Sequence, residues 1–400
     1  MPADRMLDFS LLLLGAALPL SLAASNAALG LLSLGLLLAL CDPAARASVA
    51  VRLKEASSAP IFTALAIYAF AALIAGLSGI GPVKSLSIWP KDIHKIWVVL
   101  VVGASLNEQR RRLFARGLAV GAIAAALVGI AQSGAAVAAM ASAQTADEFF
   151  RARAFIRAHG FIHPVSYGES LSLACLGVFL TGEVFLPQTA RRWALTALVL
   201  ALVLNQTRAA QLGIVIGLAA VAALKPRWRK AFGVILLFGI AIASAWAFLL
   251  PNGRSLGDLL TFQGPQAARL TLWRVAWRMF CDHLWTGVGP GHYRTLFSSY
   301  FPGELDNERN WGNAHNLFLH QAAERGLVGL AALAAVCWAL GVDVWRRVRD
   351  KNDDWALWSL AACVSFIIMN MTETAFQTEQ VATLFLVIVL LPTARRPARK

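Results

Sequence analysis

The chain has 400 residues, of which 58% are hydrophobic and 14% are charged, and its mean hydropathy is +0.62. Soluble domains are seldom more than half apolar, so this composition excludes an ordinary soluble enzyme and predicts an integral membrane protein. The net charge of +14 is explained by basic residues between apolar runs, and it therefore does not indicate a nucleic-acid partner. The five cysteines have neither disulfide nor metal-ligand spacing.

Apolar runs along the chain predict membrane-spanning helices, which need about 20 mostly apolar residues each. The predicted fold class is therefore all-α, as one polytopic membrane domain over residues 1–400 with about 12 spans. The first run is interpreted as a span and not as a cleavable signal, because a second apolar run follows it directly. Two longer polar segments, 141–164 and 251–316, interrupt the pattern. The predicted spans are 9–24, 26–42, 61–79, 93–106, 116–140, 165–186, 191–206, 208–224, 231–250, 317–343, 355–371 and 376–393.

Basic residues alternate with these spans. With the N-terminus in the cytoplasm, each connection on that side is short and carries Lys or Arg, which predicts that both termini are cytoplasmic. The basic residues left on the outer face are mostly arginines, and topology does not account for them. They predict an anionic ligand at the outer surface, with outer-leaflet lipid phosphates as the alternative. They include Lys95, Arg151, Arg153, Arg157 and Arg325.

The outer segment 251–316 is too long for a simple connection and is predicted to be a large, partly helical loop. Within it, the sequence QAARLTLWRVAWRMFCDHL repeats aromatic and basic residues at helical spacing. We expect an amphipathic helix at the membrane interface. Trp273 and Trp277 are expected to face the membrane, with Arg274 and Arg278 turned away from it.

The sequence NAHNLFLHQAAERGLVGL, at residues 313–330, places ionisable groups at the start of a predicted span, where they are costly without a function. Asn313 is expected to cap the helix, which puts His315 in its first turn. The helix dipole there favours a neutral imidazole, which can accept a proton from a hydroxyl. A hydrogen-bonded interfacial histidine is the alternative. His320 and Glu324 are expected to pair across one turn.

Arg208 and Arg269 each either extend to the surface or bind an anion, and several guanidinium groups beside a base would suit a diphosphate. His163, just before Pro164, either belongs to the same site or caps the sixth span. The sequence contains no P-loop and no cluster with metal-ligand spacing. We therefore expect neither ATP nor a metal or other cofactor.

Three blocks of sequence point to a known family. TRAAQLGI (207–214), RLTLWRVAWRMFCDHLWTGVGPGHYRTLF (269–297) and NAHNLFLHQAAERGLVGL (313–330) occur in the order found in bacterial O-antigen ligases and O-antigen polymerases. The chain resembles this superfamily of membrane glycosyltransferases. One departure is HLW at 283–285, where the family usually has His-Pro, so we assign no catalytic role to His283.

The resemblance implies an enzyme that transfers a glycan from undecaprenyl diphosphate to a sugar hydroxyl of lipid A-core, at the outer (periplasmic) face of the bacterial inner membrane. Its partners would be the lipid-linked O-antigen donor, the lipid A-core acceptor and membrane lipids. By position in the motifs, His315 would be the general base, while Arg208 and Arg269 would bind the diphosphate without a metal. A single displacement would invert the anomeric carbon. The complete predicted site has His315 as the catalytic residue and Arg208, Arg269 and Arg274 as the residues that bind the diphosphate. Possible supporting residues are Asn316, Glu324, Arg153, Arg157 and His163.

Two alternatives stay open. An O-antigen polymerase or a protein O-oligosaccharyltransferase of the same superfamily would differ only in its acceptor. A non-catalytic transporter of lipid-linked sugars would tolerate His315→Ala and would depend on residues lining both faces. The small number of charged residues within the predicted spans weakens the transporter alternative.

Overall fold

The computed structural model describes residues 2–145, 147–149, 151, 156–249, 265–305, 307–350 and 353–394. Among these residues the regular elements are helices, apart from one isolated bridge between Leu305 and Glu308, so the predicted all-α class is confirmed. The helices used below are α1 (Pro2–Ala17), α2 (Leu22–Cys41), α3 (Pro43–Ser57), α4 (Pro60–Ser78), α5 (Pro82–Ile88), α6 (Pro90–Ser105), α7 (Glu108–Ser142), α8 (Pro164–Thr181), α9 (Gln188–Asn205), α10 (Arg208–Leu224), α11 (Arg229–Leu249), α12 (Pro265–Asp282), α13 (Tyr293–Tyr300), α14 (Leu317–Asp350), α15 (Asp354–Asn370) and α16 (Glu379–Leu390).

Each predicted apolar run overlaps a helix, although the first run, 9–24, extends across the turn between α1 and α2. By length and composition, five described helices could cross a membrane: α2, α4, α7, α8 with the turn that follows it, and α14. Their apolar length identifies the chain as a membrane protein. The helices α10, α15 and α16 are apolar but shorter. The count of about 12 crossings stays a prediction.

The first predicted boundary is wrong. We expected the chain to break near Ser25 and Asn26, but it turns at residues 18–21. Pro19 has no N–H to continue a helix, and Ser21 caps α2 by accepting a hydrogen bond from the N–H of Ala24 at 3.3 Å.

Small residues let α1 and α7 pack with their backbones in contact. A Cβ on Gly117 of α7 would lie 2.0 Å from the carbonyl oxygen of Leu12. A Cβ on Gly15 of α1 would lie 2.2 Å from the carbonyl oxygen of Phe114. Close backbone approach through glycine is typical of helix pairs in membranes, where lipid and protein are equally apolar and dispersion contacts decide the packing.

Helix α14 is broken at Gly326, whose φ of +61° is non-helical. The residues before the break, 317–325, are largely buried and include the polar side chains of His320, Gln321, Glu324 and Arg325. Those after it form a long apolar segment. A Cβ at Gly326 would lie 2.4 Å from the carbonyl of Trp285, so no other residue fits this position without movement.

The loop after α12 completes the backbone hydrogen bonds that the break leaves open. The N–H groups of Val288 and Gly289 donate to the carbonyls of Ala323 and Glu324 at 2.9 and 3.0 Å. In the other direction, the N–H of Leu327 donates to the carbonyl of Leu284 at 2.9 Å. An irregular backbone near hydrocarbon is tolerated when protein groups satisfy it in this way. The glycine-rich loop and the Glu-Arg-Gly sequence of α14 therefore form one structural unit.

We call the described residues of 265–325 the cap, which has a hydrophobic core of its own. The α12 residues Leu272, Val275 and Met279 enter this core, together with Tyr293 and Phe297 of α13. Ala323 also belongs to this core, which therefore joins α12 and α13 to the first segment of α14.

Helix α12 is amphipathic, but the predicted separation of Trp from Arg is wrong. Trp277, Arg274 and Arg278 share its exposed face, because aliphatic residues form the buried one.

A buried ion cluster lies beside the break in α14. Arg325 Nη2 donates to Asp92 Oδ2 at 2.8 Å, and Lys95 Nζ donates to Asp92 Oδ1 at 3.0 Å. The Arg325 guanidinium also lies 4.8 Å from the centroid of the Tyr68 ring. Two basic residues that were expected to meet an external anion are thus paired with a carboxylate of the protein, which joins α6 to α14.

Candidate functional site

His315 lies immediately before α14, in the left-handed conformation with φ of +45°. Its N–H donates to Asn313 Oδ1 at 2.8 Å. The prediction that Asn313 caps the helix is wrong: Asn316 does so, because its Oδ1 accepts the N–H of Leu319 at 3.0 Å. His315 therefore lies outside the first helical turn, and a side-chain partner positions its imidazole.

Asn316 joins the two segments that form the site. It is 7% exposed, and its Nδ2 donates to the carbonyl of Met371 at 2.9 Å while its Oδ1 caps α14. Met371 opens the connection between α15 and α16. One buried amide thus fixes the distance between the His315 segment and this connection.

Glu373, in the same connection, is the central residue of the site. Its Oε2 lies 2.7 Å from His315 Nδ1, and its Oε1 accepts a hydrogen bond from Arg269 Nη2 at 2.9 Å. Its own N–H donates to the carbonyl of Met369 at 2.9 Å, which extends the end of α15. A single carboxylate therefore holds an imidazole and a guanidinium that come from distant parts of the chain.

The carboxylate determines which ring nitrogen of His315 carries a proton. An ionised carboxylate only accepts hydrogen bonds, so Nδ1–H of a neutral His315 donates to Glu373 and Nε2 keeps its lone pair. Trp311 packs edge-on against the imidazole, with ring centroids 5.9 Å apart, and limits its rotation. The His315 side chain is 27% exposed, so part of the imidazole is open to a ligand. The arrangement suits a general base.

Arg269 combines this internal pairing with exposure. Within the described part of the chain its guanidinium hydrogen-bonds only to Glu373, and its side chain is 32% exposed. A guanidinium has five N–H donors, so several remain for an anionic ligand beside the imidazole.

A second group of cationic donors forms at the start of α10. Arg157 Nε donates to the carbonyl of Asn205 at 2.7 Å, and its Nη2 donates to Thr207 Oγ1 at 2.8 Å. Arg208, exposed, is the first residue of α10, so its side chain lies at the positive end of that helix. The sequence left open whether Arg157 belongs to the site. Its hydrogen bond to Thr207 attaches it to the residue that directly precedes Arg208.

His163 connects the two groups electrostatically. It caps α8, its Nδ1 accepting the N–H of Val165 at 3.3 Å, as the simpler of the two interpretations predicted. Loss of hydration lowers the pKa of His163, the charge of Arg157 lowers it further, and the Glu373 carboxylate raises it. His163 is therefore within electrostatic reach of both the Arg157 group and the Glu373 group.

The other predicted site residues are not among those that contact His315, Glu373 or Arg269 in the described part of the chain. Glu324 lies 3.5 Å from His320 Nε2, which confirms the expected His320–Glu324 pair. Glu324 also accepts the N–H of Tyr293 at 3.1 Å and thereby holds the start of α13 against α14. Arg274 is exposed on another face of α12. Arg153 lies outside the described residues.

Sequence reasoning missed Glu373. The available signal was the polar interruption NMTETAFQTEQ at residues 370–380, between two apolar runs. The same reasoning that singled out His315, ionisable groups at the edge of hydrocarbon, applies to it.

Comparison with known families gives one match. Residues 193–334 match the family whose description is O-Antigen ligase. This segment contains Arg208, Arg269 and His315, whereas Arg157 and Glu373 lie outside it. A comparison with curated proteins finds no match to the chain.

Proposed function

Because its O-antigen ligase domain makes the chain a member of the O-antigen ligase and polymerase superfamily, we propose that it is an O-antigen ligase. It transfers a glycan from undecaprenyl diphosphate to a sugar hydroxyl of lipid A-core. The observation that carries this proposal is the His315–Glu373–Arg269 arrangement, which pairs a base with a cation in a membrane protein of this superfamily. Such a pairing is what transfer from a diphosphate requires.

His315 serves as the general base. Its Nε2 takes the proton of the acceptor hydroxyl as that oxygen forms a bond to the anomeric carbon of the glycan. The bond from this carbon to the diphosphate oxygen breaks, and its electron pair leaves with the undecaprenyl diphosphate. Glu373 holds the imidazole in the required tautomer and stabilises the imidazolium that forms, while a single displacement inverts the anomeric configuration.

Arginines replace a metal at the leaving group. Arg269 places its remaining donors next to the base, and Arg208 with Arg157 adds positive charge at the N-terminal end of α10. The leaving diphosphate is already a stable anion, so fixed cations and helix N–H groups stabilise the additional charge. The reaction needs neither nucleotide nor divalent cation.

The reaction takes place on the periplasmic side of the bacterial inner membrane, with both termini in the cytoplasm. The distribution of basic residues supports this orientation. Arg347 and Arg349 lie in the last turn of α14, at the end away from the cap, and Arg111 lies 3.9 Å from Asp353, which follows that end.

The test uses purified protein, lipid-linked O-antigen and lipid A-core, with EDTA present and nucleotide absent. Wild type is expected to form glycosylated lipid A-core, and His315→Ala is expected to lose at least about 10²-fold in rate, the usual contribution of a general base. The control is His320→Gln, which replaces the neighbouring histidine of the first segment of α14.

Any other result of this assay would contradict a part of the proposed function. Elongated lipid-linked chains without product on lipid A-core would identify a polymerase. Loss of activity in EDTA that Mg²⁺ restores would refute the proposed role of the arginines. Normal transfer by His315→Ala would make His315 structural, and transport of the donor without transfer would favour the non-catalytic alternative.

A further inference from the structure

One side of α12 carries a repeated Trp-Arg pair, in which Trp273 is half-buried while Arg274, Trp277 and Arg278 are exposed. The pairs are separated by one helical turn, so the two indoles and the two guanidinium groups form a continuous stripe. The stripe opens into a groove of about 340 Å³ whose opposite wall is Leu319 of α14. The α12 residues of the groove are Leu270, Trp273, Arg274, Trp277 and Arg278.

The donors of this groove are largely unused. The indole N–H of Trp273 is buried and has no acceptor among the described residues. Arg274 and Arg278 are exposed, and neither pairs with a carboxylate in the described part of the chain. Arg278 makes one long hydrogen bond, from Nη1 to the carbonyl of Tyr300 at 3.4 Å. Apolar walls with cations along them suit an amphiphile with an anionic headgroup.

This groove is distinct from the site of the donor diphosphate. Arg269 and Arg274 are five residues apart on one helix, which turns them about 140° from each other around the helix axis. Arg269 points to Glu373, so one diphosphate cannot engage both side chains from the same side. A transfer between two lipids requires a second lipid site besides that of the donor.

The depth of the groove fits the headgroup layer. The second segment of α14 starts at Leu327, where the chain leaves the break, and Trp285 beside the break is 69% exposed, as is typical of an interfacial aromatic. Leu319 precedes Gly326 by seven residues, or about 10 Å along a helix. The headgroup region extends about 5 to 8 Å beyond the hydrocarbon on each side, so the groove lies at or just above it.

We propose that the Trp-Arg groove of α12 binds the phosphorylated headgroup of the acceptor glycolipid. The inference rests on the proposed function, since it identifies the acceptor as the second lipid. Phosphate groups of the headgroup contact Arg274 and Arg278, and the apolar parts of the lipid pack on Trp273, Trp277 and Leu319. The acceptor thereby approaches from the α12 side, where Leu319 lies four residues along the chain from His315.

The test measures binding without turnover, on the full-length protein carrying His315→Ala. The probes are lipid A, chemically dephosphorylated lipid A, phosphatidylglycerol and undecaprenyl diphosphate, each titrated in detergent micelles. Arg274→Gln with Arg278→Gln is compared with Arg294→Gln and Arg309→Gln. The control pair removes the same charge from exposed cap positions outside the groove.

The groove variant is expected to bind lipid A about 10- to 100-fold more weakly, which corresponds to losing one or two charge-assisted hydrogen bonds. Its affinity for dephosphorylated lipid A and for undecaprenyl diphosphate is expected to be unchanged, and the control pair should match the parent. In the active background, the groove variant should raise KM for lipid A-core and leave kcat within about twofold.

Three results would overturn the proposal. Weaker binding of undecaprenyl diphosphate would make the groove part of the donor site. Equal and competing binding of phosphatidylglycerol would make it a site for bulk lipid, and an equal loss in the control pair would mean nonspecific charge attraction. Because binding is measured on an inactive protein, failure of the transfer assay leaves this test intact, so the two proposals can fail separately.

Discussion

Replacing Glu373 by Gln tests the catalytic arrangement at its centre. The substitution keeps the shape of the side chain and a hydrogen-bond acceptor for Arg269, but it removes the charge that faces His315. With Nδ1 and Oε2 2.7 Å apart, an imidazolium and a carboxylate have charge centres about 4 Å apart. At an effective dielectric constant of about 20 their attraction is about 4 kcal/mol, or about a thousandfold in rate.

Solvent reduces this figure, because the His315 side chain is 27% exposed. We therefore expect kcat of Glu373→Gln to fall by about 10²- to 10³-fold. KM for the lipid-linked donor should change less, since Arg269 keeps an acceptor for its hydrogen bond. The assay is initial-rate transfer to lipid A-core at saturating concentrations of both substrates.

Glu379→Gln is the matched control. It removes the same charge six residues further along, from a carboxylate that accepts a hydrogen bond from Asn26 at 2.8 Å and does not contact His315. It should retain activity close to wild type. If Glu373→Gln also works within about threefold of wild type while His315→Ala is inactive, Glu373 does not support the base and the proposed geometry is wrong.

Three further substitutions test the framework of the site. Gly326→Ala should destabilise the protein by about 1 to 3 kcal/mol, because it strains a positive φ and places Cβ against Trp285. Thermal unfolding in detergent measures this. The control is Gly30→Ala, whose Cβ meets no atom within 4 Å inside α2 and which should not destabilise the protein. Asn316→Ala removes a helix cap worth about 0.5 to 2 kcal/mol and should lower both the melting temperature and kcat. If the variant kept the wild-type melting temperature and the wild-type kcat, the bridging role of Asn316 would be contradicted. The lowered pKa of His163 means that, as pH falls below about 6.5, the unfolded chain binds a proton that the folded chain does not. Stability should therefore fall with decreasing pH in that window, and His163→Gln should weaken this dependence.

Local sequence patterns predicted the helices because an apolar run has few alternatives to a helix near hydrocarbon. The start of α10 at Arg208 and the break between polar and apolar halves at Gly326 were both visible in this way. The turn after α1 was predicted in the wrong place because its position depends on Pro19 and on the helix cap at Ser21. The predicted apolar run, 9–24, continues across these two residues.

Only part of the candidate site could be predicted from the sequence, because local patterns do not show which distant residues meet in the fold. His315 and Arg269 stand out as polar residues in unusual surroundings, and the resemblance to a known family marks both. Glu373 joins them through the tertiary fold, from a connection that follows α15, and no spacing rule relates it to His315. The orientation of Arg274 likewise depends on which face of α12 the cap buries, and that choice is made by tertiary packing.

The order of synthesis gives the position of Glu373 a further consequence. Arg269, His315 and the whole cap leave the ribosome before α15 and the connection that carries Glu373 have been made. Until that connection folds back, the imidazole lacks the group that orients its proton and the guanidinium lacks its anchor. In a partly made chain the proposed site is therefore unassembled, and the folding of α15 and of the connection after it completes the arrangement around His315.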